Sequence, residues 1–375
     1  MGSYGLMTHF RHETSIPAEM LANLPAVLGF YPHESVIFTG FTFATETSLT
    51  LGPVLRVNIE DLQVLPEIGE ALERIGNDVV FAFVISAQAS HEHQLLEEII
   101  NMLVHASETR VVNIDACWYS SEITTGNPYR LLFDRASALS HKVKKESGGW
   151  LFGNIPDIAA SSAMKSLVEA GDVPELNREE SFRYFARETE NSCAAHDCEI
   201  DERITQIANG MIAEIYAQPS HIESYIDRLR QILDAVAAQP DSVQPCDEFV
   251  EFCAAICNQV VLRDAMLMTF LTAPVGSKRL CLSVARSVSG VSRNNALCVY
   301  AICALSQHRN PKGFHALIAS SMDDPEHSLT QLLISGFQAG IIDKLLACIE
   351  TGCAHTLAQL GLEPSDSDGD ARHAA

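Results

Sequence analysis

Apolar positions along the first half of the chain follow two alternating rhythms. Ile16–Gly29 reads as a short helix with Pro17 in its first turn, where a missing N–H costs nothing. Val36–Thr42 and Leu51–Ile59 are runs rich in β-branched and aromatic residues, and the Ala44–Ser48 interval suits a hairpin between them. Leu62, Leu65, Ile68, Leu72 and Ile75 then recur at helical spacing, which predicts a helix over Asp61–Ile75, stopped by Gly76-Asn77-Asp78. Val79–Ile85 is an unbroken apolar run of buried-strand length. The helical rhythm returns over His91–Ala106, and Arg110–Tyr119 reads as the next strand. The order β-β-α-β-α-β predicts a layered α/β domain with a mixed sheet. Gly148-Gly149-Trp150-Leu151-Phe152-Gly153 reads as a short strand between glycine turns, and Asp157 is placed to cap a helix over Ile158–Ala170.

After this the pattern changes. The window Asp172–Glu202 holds ten acidic and three basic residues, which marks a charged connector and the domain boundary. Beyond it the rhythm is helical only: Arg203–Tyr216, His221–Ala238, Asp247–Leu271, Ser292–Gln307, Lys312–Met322, His327–Ala339 and Ile342–Gly352. The reading is thus an α/β N-terminal domain over 16–185 followed by an all-α C-terminal domain over 203–362, with 1–15 and 363–375 expected to be disordered. Asn295–Ser328 has a degenerate helix–turn–helix outline of tetratricopeptide length.

Charge narrows the partners. Asp and Glu outnumber Lys and Arg by 48 to 25, for a net charge of −23, and the longest basic cluster is Lys142, Lys144 and Lys145. Phosphate binding needs cations to displace counterions, so nucleic acid is not expected as a partner. No apolar run approaches the roughly 20 residues of a membrane span, and Met1–Ser15 lacks the apolar core of a secretory signal. The 11 cysteines form no compact disulfide framework and several sit among apolar residues, which points to reduced thiols in a cytoplasmic protein.

Candidate chemistry is sparse. Tyr31-Pro32-His33-Glu34-Ser35 precedes the first predicted strand; His33 beside Glu34 has the residue types of an oriented general base, and Ser35 would be a nucleophile only with a base beside it. The same stretch also fits a capped entry turn. Arg56 is a lone charge in an apolar strand, suited to an anionic ligand, to a carboxylate across the sheet or to solvent. Arg263-Asp264 interrupts an apolar helix, as a local ion pair or as an interdomain or partner contact. His91 and His93, Cys193-x-x-His196-x-Cys198, and Cys348 with Cys353 and His355 have metal-ligating residue types but fall short of a four-ligand site, so no metal is expected. Phosphate-loop, dinucleotide, zincin, kinase and nucleophile-elbow signatures are missing, and no cofactor is called for.

Leu24-Pro25-x-x-Leu28-Gly29-Phe30-x-Pro32-x-x-Ser35-Val36 resembles the opening motif of an actinobacterial family catalogued as domain of unknown function 4192. Gly52–Asn58 resembles its second strand, Asp157–Ala163 with Asn177-Arg178-Glu179-Glu180 its central segment, and Leu262–Ala265 with Asp323-Asp324-Pro325-x-His327-x-Leu329 its helical landmarks. The resemblance spans roughly 16–350 and implies the two-part layout and a cytosolic location. It departs at Asp115–Ser120, where the family's Cys-rich turn is missing, so any metal role there does not carry over. Two functions fit these residues. The first is a non-enzymatic protein-interaction or regulatory adaptor whose partner is another protein. The second is a small-molecule-binding protein or enzyme, with its site on the α/β domain at the carboxyl ends of the strands, beside Ser86–Ser90 and Tyr119–Asn127.

Overall fold

The computed structural model describes residues 2–5, 9–10, 16–45, 48–135, 149–169, 171–188, 194–240, 242–307, 311–339 and 341–362. The chain divides into two units: Met1–Tyr184 with His308–Phe314 and Phe337–Gly340, and Phe185–Gln307 with His315–Gly336 and Ile341–Ala375. The first is an α/β unit and the second is helical, as the sequence predicts.

The α/β unit is built on an eight-stranded mixed sheet. Its strands are β1 (Gly2–Gly5), β2 (His9–Phe10), β3 (Ser35–Thr45), β4 (Ser48–Asn58), β5 (Val79–Ile85), β6 (Ala116–Ser120), β7 (Pro128–Asp134) and β8 (Phe152–Asn154). The order is β1-β4-β3-β5-β6-β7-β8, with β2 also on β4. Among the strand pairs of the described residues, only β5 and β6 run parallel. Their crossover carries α3 (Gln88–His91) and α4 (His93–Glu108), as a parallel connection requires. The hairpin β3–β4 forms where expected, but β4 runs straight through Gly52-Pro53. The register slips between Thr39 and Phe41, so Pro53, which has no N–H to donate, falls at a bulge.

Two faces hold the unit together. On one, Val36, Phe38, Leu55, Val80, Ala82 and Val84 pack with Leu65, Ile68 and Leu72 of α2 (Leu65–Ile75) and with Leu96, Ile99 and Leu103 of α4. The alternate residues face the other way, as strand pleating dictates. There Trp118 lies 4.9 Å from Trp150 and 5.2 Å from Phe81, edge to face, and 5.4 Å from Phe83 in a stack. The Trp118 indole N–H donates to the Trp150 carbonyl at 2.8 Å.

Several expectations are corrected. Gly2–Gly5 and His9–Phe10, expected to lack structure, extend the sheet along β4, whose outer backbone groups would otherwise be an unpaired edge. The helix expected over Asp61–Ile75 starts as a 3₁₀ turn at Ile59–Val64 and becomes α-helical at Leu65, because Pro66 cannot continue a helix from upstream. The strand expected from Arg110 begins only at Ala116. Arg110 takes φ 59°, and Val111 and Val112 turn back to the Ala106 carbonyl, closing α4 instead. β7 was not anticipated. Asp157 caps only Ile158–Ala160; the helix α5 (Ser162–Glu169) is capped by Asn23 of α1 (Ile16–Leu28), which accepts from the Ala163 N–H at 2.8 Å.

In the helical unit, α7 (Ala194–Ala217), α8 (His221–Ala238), α9 (Asp247–Asn258), α10 (Val260–Thr272), α11 (Pro274–Ser287) and α12 (Gly290–Ser306) succeed one another. Three more helices follow in sequence, Pro311–Asp323, Ser328–Gln338 and Ile342–Gln359, of which Pro311–Phe314 and Phe337–Gln338 belong to the α/β unit. The single helix expected over Asp247–Leu271 is two, bent by 119° at an extended Gln259. No single described helix is long and apolar enough to cross a membrane. The unpredicted α11 is held by contacts that periodicity does not show. Gly276 lies so close to α8 that a Cβ would stand 2.1 Å from the Leu233 carbonyl oxygen. Arg279 donates to the carbonyls of Val236, Gln239, Pro240 and Val243, closing the end of α8. Residues 363–375, Lys142, Lys144, Lys145, Gly148 and Cys193 lie outside the described residues.

Candidate functional site

The carboxyl ends of β4, β5 and β6 share one edge of the sheet, because Ser35 pairs with both Asn58 and Ile85 and Ile85 pairs with Ser120. The chain enters that edge through Tyr31-Pro32-His33-Glu34. This entry is fixed from outside. Tyr31 N–H donates to the Glu175 carbonyl at 3.0 Å, and Glu175 N–H donates to the Gly29 carbonyl at 2.9 Å. Just beyond, Asn177 caps α6 (Arg178–Arg183) by accepting from Glu180 N–H at 2.9 Å, and the Glu180 carboxylate accepts from Leu176 N–H, one residue before the cap, at 3.3 Å. These two segments, the 3₁₀ turn after β4 and one face of α4 enclose a cavity of about 550 Å³. Its wall includes Phe30, Tyr31, His33, Glu34, Arg56, Asn58, Glu60, Gln88, Glu98, Met102, Asn177, Arg178 and Glu179.

The three ligand-binding candidates from the sequence, His33, Glu34 and Arg56, all lie in this wall. The His33 Nε2 meets the Leu176 carbonyl at 3.2 Å. A carbonyl only accepts, so Nε2 is the donor in this contact. The half-buried Arg56 donates through Nη2 to the His33 carbonyl at 3.2 Å, which ties β4 to the entry segment. Glu34 has a different task. Its carboxylate accepts from the Ser86 hydroxyl at 2.6 Å and from the N–H groups of Ala87 at 2.8 Å and Gln88 at 3.2 Å. Its backbone sits at φ 38°, in the left-handed region that a Glu rarely adopts. Glu34 therefore does not orient His33 as a catalytic dyad; it pins the loop after β5. Ser35 is fully buried with its hydroxyl lacking a hydrogen-bond partner, so the geometry supplies no base to make it a nucleophile. Of the two loops expected to frame a site, the first contributes Gln88. The second is folded on itself, with Asn127 donating to Ser120, Ser121 and Glu122.

Sequence reasoning missed Glu60, Glu98 and Met102 as wall residues. Leu95, Glu98, Ile99 and Met102 recur at three- and four-residue spacing and so share one stripe of α4. Met102 in that stripe is 43% exposed where a core residue would be covered. Among the charged wall residues, Glu34, Arg56 and Arg178 are half-buried, whereas Glu60, Glu98 and Glu179 are exposed.

The remaining candidates lie elsewhere. In the helical unit, the buried Arg263 pairs with Asp264 at 2.7 Å and donates to the Asn295 side chain at 2.5 Å, while Asn295 donates to the Cys257 carbonyl at 2.7 Å. Among the described residues no group of three or more His, Cys, Asp or Glu side chains is placed to hold a metal ion. Cys348 is exposed, while Cys353 is buried and donates to the Ala265 carbonyl at 3.1 Å.

A family model described as "Domain of unknown function (DUF4192)" matches residues 17–343, nearly the span of the motif resemblance. Neither the curated proteins nor the solved structures contain a significant match to this chain.

Proposed function

The chain belongs to the DUF4192 family, and from that premise we propose that its α/β unit is a small-molecule-binding domain whose site is the cavity at the carboxyl edge of the sheet. One observation carries this reading: His33, Glu34 and Arg56, chosen from sequence for their chemistry alone, converge on a single cavity of about 550 Å³. That volume falls within the ~300–1,000 Å³ typical of ligand pockets, and the position is where open α/β sheets bind ligands. A wall that mixes apolar side chains with several polar groups fits a molecule held by shape and oriented by hydrogen bonds.

The test is a thermal-shift screen of a broad metabolite library against the full chain and Met102→Trp, which fills the cavity from an exposed position. A ligand at 100 times its Kd adds roughly 2.7 kcal/mol of stability. The expected result is at least one compound that raises the melting temperature of the natural chain and not of the variant. If no compound does so, or if every shift survives Met102→Trp, the cavity is not the site.

A second reading, an adaptor with a protein partner, is supported in the helical unit. Val260, at 53% exposure, Val261 and Val291 are exposed apolar residues near the α9–α10 bend, where Asn258 donates to the Ser292 hydroxyl at 3.2 Å. Val260→Asp with Val291→Asp would abolish capture of a partner from host lysate under this reading and leave the small-molecule shift intact. The buried reduced thiols support a cytoplasmic location.

A further inference from the structure

We infer that the molecule taken by the cavity is an uncharged polyol, a small sugar or a cyclitol. The inference rests on the pocket reading above and adds the class of ligand. It follows from which groups of the wall the fold leaves open. Three neutral amides line the cavity, Asn58, Gln88 and Asn177. Asn58 donates through Nδ2 to the Asp61 carboxylate at 2.7 Å, and Asn177 accepts the Glu180 N–H through Oδ1 at 2.9 Å. Among the described residues, the Asn58 Oδ1, the Asn177 Nδ2 and the side-chain amide of Gln88 meet no hydrogen-bond partner. The wall therefore offers open acceptors and open donors on side chains without charge. A hydroxyl both donates and accepts, so a molecule carrying several of them answers either kind. Tyr31, half-buried, and Met102, 43% exposed, supply apolar contact for the C–H faces of a ring.

The charges of the wall do not single out an ion. Glu34, Arg56 and Arg178 are all half-buried there, so both signs stand together, and the protein itself engages each of them. Glu34 accepts from Ser86, Ala87 and Gln88, Arg56 donates to the His33 carbonyl, and the Arg178 guanidinium lies 5.1 Å from the Phe182 ring centroid. An anion would approach a chain of net charge −23 against its field and would share the wall with four carboxylates, Glu34, Glu60, Glu98 and Glu179. An ammonium group would share it with two guanidinium groups. An uncharged molecule is subject to neither repulsion.

Isothermal titration calorimetry on the full chain tests the class with matched series on one scaffold: glucose, glucosamine and glucose 6-phosphate, the corresponding galactose set, trehalose with its 6-phosphate, and myo-inositol with a monophosphate. At least one neutral polyol is expected to bind, with its charged derivatives about tenfold weaker. Asn177→Asp keeps the cap on α6, since a carboxylate also accepts the Glu180 N–H, and removes the open amide donor. Gln88→Ala removes an exposed amide whose side chain holds no partner in the fold. Each variant should weaken the neutral ligand by about tenfold. Far-ultraviolet circular dichroism and the melting temperature, both expected to match the natural chain, separate loss of recognition from loss of fold. No neutral polyol binding, a charged derivative binding as tightly as its parent, or an affinity unchanged in both variants would overturn the assignment. The pocket reading is judged apart from it. A library compound of another class whose shift is lost in Met102→Trp would leave the pocket standing and the class wrong, whereas polyol binding that survives Met102→Trp would lie outside the cavity and remove both.

Discussion

The carboxylate of Glu34 accepts the hydroxyl hydrogen of Ser86 at 2.6 Å across 52 residues of sequence, and does so from a backbone held at φ 38°. The same carboxylate takes the Ala87 and Gln88 N–H groups, so one side chain closes the loop that leaves β5. Strain of this kind persists only where the surroundings over-determine it. Here the Glu34 carbonyl also accepts from Ile59 N–H at 3.0 Å, which fixes the residue from the β4 side.

Two substitutions separate the strain from the hydrogen bonds. Glu34→Ala removes the caps and keeps the strained backbone, at an expected cost of about 1–3 kcal/mol. Glu34→Gly removes the caps and the strain together, so it should be more stable than Glu34→Ala by roughly 0.5–1 kcal/mol. Both tryptophans, Trp118 and Trp150, lie in the α/β unit, so their fluorescence during urea unfolding reports on this unit. Equal stability of the two variants would mean that φ 38° costs nothing.

Lys312 sits between two acids within the α/β unit, 2.7 Å from Asp172 and 3.5 Å from Glu175, with its ammonium 4.5 Å from the Tyr184 ring centroid. Lysine and aspartate side chains here are only 13% and 14% exposed, so removing the cation takes the nearest positive charge from a largely buried carboxylate. Lys312→Met is expected to cost about 3 kcal/mol by tryptophan fluorescence, with part of the loss recovered by adding Asp172→Asn. Burial works against the charged ammonium, but Asp172, through its charge and hydrogen bond, together with Tyr184 and Glu175 outweighs it and raises the Lys312 pKa above 10.5. The pair's contribution is therefore complete below pH 10.5 and is lost as pH rises through the higher folded value. Lys312→Met should lack that alkaline loss. An unchanged alkaline profile would show that the pair does not contribute.

The sequence made the architecture legible where periodicity carried it. Val79–Ile85 and His221–Ala238 have the same bounds in the structure, since an all-apolar strand and a five-turn amphipathic helix leave little choice. It misled where a single residue or a distant contact decides. Pro66 moves a helix start, Gln259 breaks an apolar run, and α11 depends on a close approach at Gly276 that no local pattern encodes. At the site, His33, Glu34 and Arg56 stood out as polar groups in apolar surroundings. Glu34's actual partners lie more than 50 residues away, so its clamp role could not be read locally. Glu98 and Met102 were hidden inside a regular amphipathic stripe.

The cysteines sort by environment. Burial pushes the Cys281 and Cys298 thiols up to about 11 and Cys303 to about 12, and raises Cys117 further still. The thiolate is the reactive form, so these four should resist alkylation in the folded chain. Cys246, Cys348 and Cys198 are exposed. The Glu202 carboxylate beside Cys198 raises its pKa, so it should react more slowly than the other two. Peptide mapping after brief maleimide treatment at neutral pH checks the order. Rapid modification of Cys281 or Cys303 without unfolding would mean that the helical core opens far more readily than its packing implies.

His327 should make the helical unit sensitive to mild acid. Its Nδ1 lies 2.7 Å from the Thr330 hydroxyl, which in turn meets the buried Ser320 hydroxyl at 2.7 Å and the Cys298 sulfur at 3.2 Å. Burial lowers the His327 pKa below 6.5, the nearby Arg263 charge lowers it further, and Asp324 opposes both. The folded state thus resists a proton that the unfolded chain accepts. Above pH 6.5 both states are neutral and the histidine is indifferent; as pH falls through 6.5 the unfolded chain binds more protons and stability declines. Far-ultraviolet circular dichroism, dominated by the helices, should show a lower unfolding midpoint at pH 5 than at pH 7.5. In His327→Gln, which keeps a hydrogen-bonding side chain without a titrating group, that difference should shrink. If the variant shows the same acid loss as the natural chain, the proton that weakens the fold binds at another residue.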